Sequence, residues 1–260
     1  MGILYLIIFL FGICVGSFLN CLIWRLNQKE TILGRSMCPR CKKIISWFDN
    51  IPLVSFLILK GKCRSCKKDI SLQYPLVELI VGLLFFLAAY KHLGAELNFG
   101  AIETSVILFI LRDWLFISIL TIIFVYDLRW YLILDIITLP AIAIAFGVNL
   151  YLGFAWIDLL AAAAIGGGFF FFQFVVSRGR WIGGGDIRLG FLMGMMLSWP
   201  QILTALMIAY VSGSVIGVSL LASGKKQWSS QIPFGTFLSA ASAAALLWGE
   251  HILSWYLTWL

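Results

Sequence analysis

The chain has 260 residues, of which 62% are hydrophobic and only 12% charged, with a mean hydropathy of +0.99. Soluble domains carry about 25% charged residues, so this composition excludes a soluble globular fold and points to an all-α, polytopic membrane protein. The formal net charge of +7 would suit a nucleic-acid partner only if the basic residues formed a binding surface, and their distribution along the chain argues otherwise.

Residues 3–24 form an apolar run long enough to cross hydrocarbon, with no Lys or Arg before it and Arg25 directly after. A cleavable signal peptide has the opposite flanks, so a retained first span with an outside N-terminus is expected. Residues 25–73 are then a cytosolic loop. It holds eleven Lys or Arg residues against Glu30, Asp49 and Asp69. Further apolar runs at about 75–92, 104–126, 134–152, 156–176, 187–200, 202–222 and 236–258 bring the expectation to about eight transmembrane helices. With both termini outside, the remaining inside segments carry Arg129, Arg178, Arg180, Lys225 and Lys226, and Arg188 lies just beyond one of them. In all, 17 of the 19 basic residues fall at or near the inner face. The positive charge therefore reports orientation and contact with anionic lipid, and no nucleic-acid partner is expected.

The first loop contains Cys38-Pro39-Arg40-Cys41 and Cys63-Arg64-Ser65-Cys66, with 21 residues between the pairs. Each hook can present two thiolates to one tetrahedral ion, and a loop with little apolar material of its own needs such a clip. A structural zinc ribbon fits a reducing compartment better than two disulfides do, and four thiolates leave no open position for a catalytic metal. Cys14 and Cys21, seven apart in the first span, read as ordinary packing residues.

Two carboxylates stand at the ends of apolar runs. Asp186 follows Gly183, Gly184 and Gly185 and precedes the run to Pro200, while Asp127 closes the third run. An ionisable group at the edge of hydrocarbon is costly and points to function. Counting about 14 residues from Asp113 to Asp127, and again from Asp186 to Pro200, gives a rise of ~21 Å each, against ~30 Å of hydrocarbon. Both carboxylates should therefore be recessed from the cytosolic side. Two carboxyls a few Å apart cannot both ionise easily, so one can keep a proton while the other activates water, as in aspartic proteases. Asp135, eight residues after Asp127, is an alternative partner for Asp186, although its position also suits a helix N-terminus.

Together the glycine-aspartate stretch, Asp127 with Asp135, and the paired Cys hooks resemble the bacterial type IV prepilin leader peptidases, membrane aspartic proteases of the Gly-x-Gly-Asp type. The resemblance extends to Gly16-Ser17-Phe18-Leu19-Asn20, Asp49-Asn50-Ile51-Pro52-Leu53, Tyr74-Pro75-Leu76-Val77-Glu78 and Ile232-Pro233-Phe234-Gly235. It implies that Asp127 and Asp186 are the catalytic pair, with Asp135 in support. It further implies a first span over 1–24, a zinc-binding loop over 25–73 associated with methyl transfer, and a seven-span protease core over 74–260. The implied activity is cleavage of the short basic leader from prepilins or pseudopilins at the cytosolic face of the inner membrane. Many members also methylate the new N-terminus with S-adenosylmethionine, and Gly61 and Lys62 match the stretch tied to that step. Their other reading is a zinc-knuckle turn with an exposed Lys. Leu134 and Arg188 depart from the common pattern, where Pro and Lys often stand. A transporter would place polar groups nearer the midplane and show an internal repeat, and a zinc-bearing scaffold would leave the carboxylates idle.

Overall fold

All eight apolar runs fold as helices in the computed structural model, which describes residues 2–94, 103–223 and 232–259. In chain order they are α1 (Gly2–Gln28), a 3-10 turn at Trp47–Asn50 and α2 (Val54–Ile58) in the loop, then α3 (Gln73–Leu93), α4 (Thr104–Trp130), α5 (Asp135–Tyr151), α6 (Trp156–Ser177), α7 (Gly184–Leu197), α8 (Gln201–Ala222) and α9 (Phe234–Leu257). By length and composition, five of these can cross a membrane: α1, α3, α4, α6 and α8. Five of the eight expected spans are thus met by length and composition. α5 has 17 residues and α7 has 14, which at the helical rise give roughly 26 Å and 21 Å, short of the ~30 Å core. α9 is 24 residues long, but Glu250 and His251 in its second half lower its hydropathy. Lys225 and Lys226 lie outside the described residues.

The chain divides into two compact units, residues 1–110 and 111–260, with the boundary inside α4. In the first, α1 and α3 pack along their length. Glycines let the two backbones approach: a Cβ on Gly12 would lie 2.8 Å from Gly82 Cα, and one on Gly16 would lie 2.8 Å from Glu78 Cα. Such small-residue contacts replace the hydrophobic drive that is missing between helices in lipid. Cys14 is exposed and Cys21 half-buried, so the expectation that both are packing residues fails for Cys14, which faces away from α3. At the loop end of this pair, Asn20 donates to Tyr74 O at 3.1 Å and accepts from Gln73 Nε2 at 3.1 Å. Glu78, buried, accepts the Leu53 N–H at 2.8 Å. Three of the sequence stretches singled out above thus meet in one polar cluster that ties the loop to the helices.

In the second unit α7 is central, packing on α5, α6, α8 and α9. Nearly every residue from Leu189 to Leu197 is buried. Gly190 and Gly194 let it touch the backbone of α6 at Gly166 and Ala163. A short helix leaves its last carbonyls without helical partners, and these need donors where water is absent. Asn149 of α5, fully buried, supplies them, with its Nδ2 2.6 Å from Met195 O and 3.3 Å from Met196 O. Its side-chain oxygen accepts from Arg112 at 3.4 Å. Arg112 pairs with Asp113 at 2.7 Å. Both residues face the protein interior.

Candidate active site

Asp127 falls in the last turns of α4, since the helix runs to Trp130, beyond the end of the apolar run. Its side chain is 5% exposed. Its Oδ2 accepts two hydrogen bonds from one residue, the Thr236 N–H at 2.7 Å and the Thr236 hydroxyl at 3.1 Å. Thr236 lies in the first turn of α9, where backbone N–H groups have no acceptor within the helix. Asp127 therefore closes the N-terminal end of α9 from another helix. The approach requires glycine at the preceding position: a Cβ on Gly235 would meet Asp127 Oδ2 at 3.0 Å and Ile133 Cδ1 at 2.9 Å.

Asp186 lies in the first turn of α7, which begins at Gly184, three residues earlier than the apolar pattern suggests. Its Oδ2 accepts the N–H of Gly183 at 3.0 Å. This is one half of a capping box; Gly183 has no side chain to complete the other half. Gly183 and Gly184 are exposed, while Gly185 and Asp186 are half-buried. Gly185 packs on Ile133, where a Cβ would fall 3.0 Å from Ile133 Cβ. Ile133 thus sits against both glycine-bearing turns, one leading to Asp186 and the other to Thr236.

The two carboxylates are brought to one neighbourhood by Ile133, which packs on Gly185 beside Asp186 and on Gly235 beside Asp127. Both stand at the positive ends of helices, Asp186 on its own and Asp127 on α9, which favours negative charge there. Asp135 is placed differently. It opens α5, and its exposed carboxylate forms an ion pair with Arg188, whose Nε donates to Gly184 O at 3.2 Å. It braces the turn that carries Asp186. Tyr210, bonded reciprocally to Gln173 at 2.7 Å and 3.0 Å, lies within reach of the charge of Asp186. Packed around Tyr210 are the rings of Phe169, Phe170 and Phe234.

In the first unit the four hook thiols gather into one cluster. Sγ atoms of Cys38, Cys41, Cys63 and Cys66 all lie within 4.8 Å of one another. Cys38 and Cys66 are 4.0 Å apart. Tetrahedral zinc with S at about 2.3 Å would set neighbouring sulfurs about 3.8 Å apart, so the cluster fits such an ion after a slight contraction. The hooks share one geometry. In the first, Cys38 N–H bonds Lys43 O and Lys42 N–H bonds Cys38 O, both at 2.9 Å; in the second, Cys63 N–H bonds Lys68 O at 2.9 Å and Lys67 N–H bonds Cys63 O at 3.0 Å. Lys42 and Lys67 have φ of 59° and 58°. The Cys66 N–H draws the Cys63 thiol down to about 7. The Lys68 N–H favours a Cys66 thiolate, yet burial and the three neighbouring thiols push Cys66 up to about 11. Four thiols this crowded become thiolates together only around a cation. All six cysteines are free of disulfides.

Gly61 has φ of 70°, and its carbonyl accepts the Ile70 N–H at 2.7 Å, which closes the second knuckle. Its glycine is accounted for by the turn. Lys62 is exposed at the bridge to Asp69. Beside them, Asp49 takes two hydrogen bonds from Arg64, both at 2.7 Å, and this contact holds its carboxyl below the usual range.

Thr236, Gly235, Ile133 and Asn149 had no assigned role in the sequence. Only Gly235 lay in a stretch already singled out, and a Pro-Phe-Gly-Thr run at the head of a helix is the one local signal that marks a capped N-terminus there.

The described bacterial peptidase A24 N-terminal domain matches residues 10–92, and the type IV leader peptidase family matches residues 114–218. The chain is 32% identical to a prepilin leader peptidase/N-methyltransferase of Bacillus subtilis (strain 168), over 96% of this chain and 97% of that one. It is 31% identical to a protein of the same description from Pseudomonas aeruginosa, over 95% and 91%, and 29% identical to one from Legionella pneumophila, over 98% and 94%. No solved structure matches.

Proposed function

The chain belongs to the type IV leader peptidase family, and on that premise we propose that it cleaves the short basic leader from type IV prepilins or pseudopilins, with Asp127 and Asp186 as the catalytic pair. The observation that carries this reading is that two carboxylates from distant helices stand at the heads of α7 and α9, on glycine-bearing turns that both pack against Ile133.

One carboxylate takes a proton from water as that water attacks the scissile carbonyl; the other, still protonated, gives its proton to the departing amide nitrogen. The pair titrates as a unit, so neither proton belongs to one residue alone. The first-turn N–H groups after Gly183, with no side chain over them, offer a place for an extended substrate segment to pair. A helical substrate must unwind there, because a peptide bond inside an intact helix is shielded.

In this reading α5, α7 and α9 complete eight spans, α5 and α7 being short and α7 buried among its neighbours. The basic residues put both termini outside and the loop and carboxylates on the cytosolic side of the inner membrane. Cys38, Cys41, Cys63 and Cys66 hold a structural zinc, which closes the loop. The relatives' description also supports methylation of the new N-terminus. S-adenosylmethionine would supply the electrophilic methyl group for that step, and Gly61 and Lys62 are the candidate residues to vary.

The test is incubation of the purified protein, in lipid, with a full-length prepilin, followed by mass spectrometry of the product. Release of the leader supports the protease, and a mass gain of one methyl on the mature N-terminus supports the second activity. An intact prepilin under conditions where a relative cleaves it would sink the assignment.

A further inference from the structure

We propose that the 3-10 turn and α2, residues 47–58, form an interfacial foot that lies in the headgroup region of the bilayer and holds the thiol cluster at the membrane surface. The inference rests on the first unit alone and does not depend on the reading of the aspartates.

The first observation is apolar surface in the wrong place for a hydrated loop. Trp47 is 76% exposed, Leu57 73% and Ile58 68%, and Phe48, Ile51 and Val54 are exposed beside them. The 3-10 turn and α2 pack on each other, so these side chains belong to one small body. Left in water, they would form an apolar patch of the kind that marks an interaction site.

The second observation fixes the height of that body. Leu53, the residue before α2, has φ of 59°, and its N–H is held at 2.8 Å by the buried carboxylate of Glu78. Glu78 lies five residues into α3, which starts at Gln73, or roughly 7 Å along the helix. The loop is therefore pulled down alongside the first turns of a membrane helix. Leu72, just before α3, and Leu76, Leu79 and Ile80 on it are exposed at the same end, and they present an apolar face to lipid.

The third observation is charge. Lys43, Lys60, Lys62, Lys67 and Lys68 are exposed on the same loop. Lysine stems can lie over apolar surface while their ammonium groups reach anionic headgroups. Exposed aromatic and aliphatic side chains on a loop that also carries exposed lysines are the make-up of a segment that lies in an interface. The occupant is thus a bilayer containing anionic phospholipid.

The experiment replaces Leu57 with a diazirine analogue of leucine in the full chain, reconstituted in phosphatidylcholine vesicles with or without phosphatidylglycerol. The same analogue at Leu83, an exposed position deeper in α3, serves as the lipid-facing reference. On photolysis, position 57 should give phospholipid adducts within about threefold of the reference yield, and more with phosphatidylglycerol than without. Quenching by water at position 57, with adducts at position 83, would overturn the proposal. So would adducts to another polypeptide, which would make the patch a protein-docking surface. A second readout is amide exchange over residues 54–58, which should slow when phosphatidylglycerol is added. Unchanged exchange would count against lipid contact.

Discussion

The thiol cluster and the aspartate pair are built by opposite strategies. Each Cys hook folds on itself through hydrogen bonds that span a few residues, Cys38 to Lys43 and Cys63 to Lys68, and two nearly identical knuckles then share one centre. The aspartate site has no local core. Asp127 takes its hydrogen bonds from Thr236, 109 positions away in the chain, and Asp186 comes to it on a third helix. A local site can be lost by unfolding its loop, whereas a site assembled from α4, α7 and α9 is lost by a small displacement of any one of them. The first should therefore fail through metal and stability, and the second through rate.

The largest separation of the two is expected from the carboxylates. Asp127→Asn and Asp186→Asn should each lower leader cleavage by about 10²–10⁴-fold while the protein stays inserted, because proton transfer is lost and an acceptor for Thr236 or Gly183 remains. Initial rates on a full-length prepilin measure this, and wild-type rates in either variant would break the pairing. Cys38→Ser or Cys66→Ser should act on the other site. Zinc content should fall to none, the loop should become protease-sensitive, and methyl transfer should disappear before proteolysis does. Metal analysis of the purified variants decides it; equal loss of both activities would mean that the two regions are not separable.

Smaller effects probe the fit around Asp127. Gly235→Ala puts a Cβ 3.0 Å from the carboxylate oxygen and 2.9 Å from Ile133. Cleavage should drop by ~10²-fold, as expected when a catalytic group is displaced by a fraction of an ångström to an ångström. Thr236→Val keeps the backbone donor and removes only the hydroxyl, so the loss should be about tenfold, with kcat affected more than KM. Asp135→Asn should cost least. Its ion pair with Arg188 is exposed on both sides, and such pairs are worth about 0–1 kcal/mol, up to about fivefold in rate. A loss as large as that of Asp127→Asn would move Asp135 into the catalytic pair.

This division explains what could be read from residues alone. The hooks were legible because ligand spacing, turn and metal chemistry lie within a few residues of one another. All eight apolar runs were legible as helices because hydropathy is summed over many positions. Asp127 against Asp135 was left open by local physics, since both stand near helix ends and the contact that distinguishes their surroundings, Thr236 on Asp127, comes from the far end of the chain. The same holds for Arg112 and Asp113. In sequence they look like an interfacial pair, and in the fold they turn inward because Asn149 and the aromatic rings of Phe116 and Phe154 receive the guanidinium. Exposure of Cys14 was equally hidden, because the side of α1 that meets α3 is chosen by where glycines permit contact.

The shortness of α7 has an effect at the end away from its aspartate. A helix cut to 14 residues ends within the bundle, and it strands two carbonyls, those of Met195 and Met196, inside the protein. Asn149 donates to both, so α7 is anchored at its far end to α5, and at its near end Arg188 pairs with Asp135 of that same helix. Such a helix behaves like a beam held at both supports: it resists sliding along its axis, and any opening that admits substrate has to come from the helices around it. Removing the far support with Asn149→Leu would let the beam slip, and the change would be felt at the other end as a carboxylate at the wrong depth.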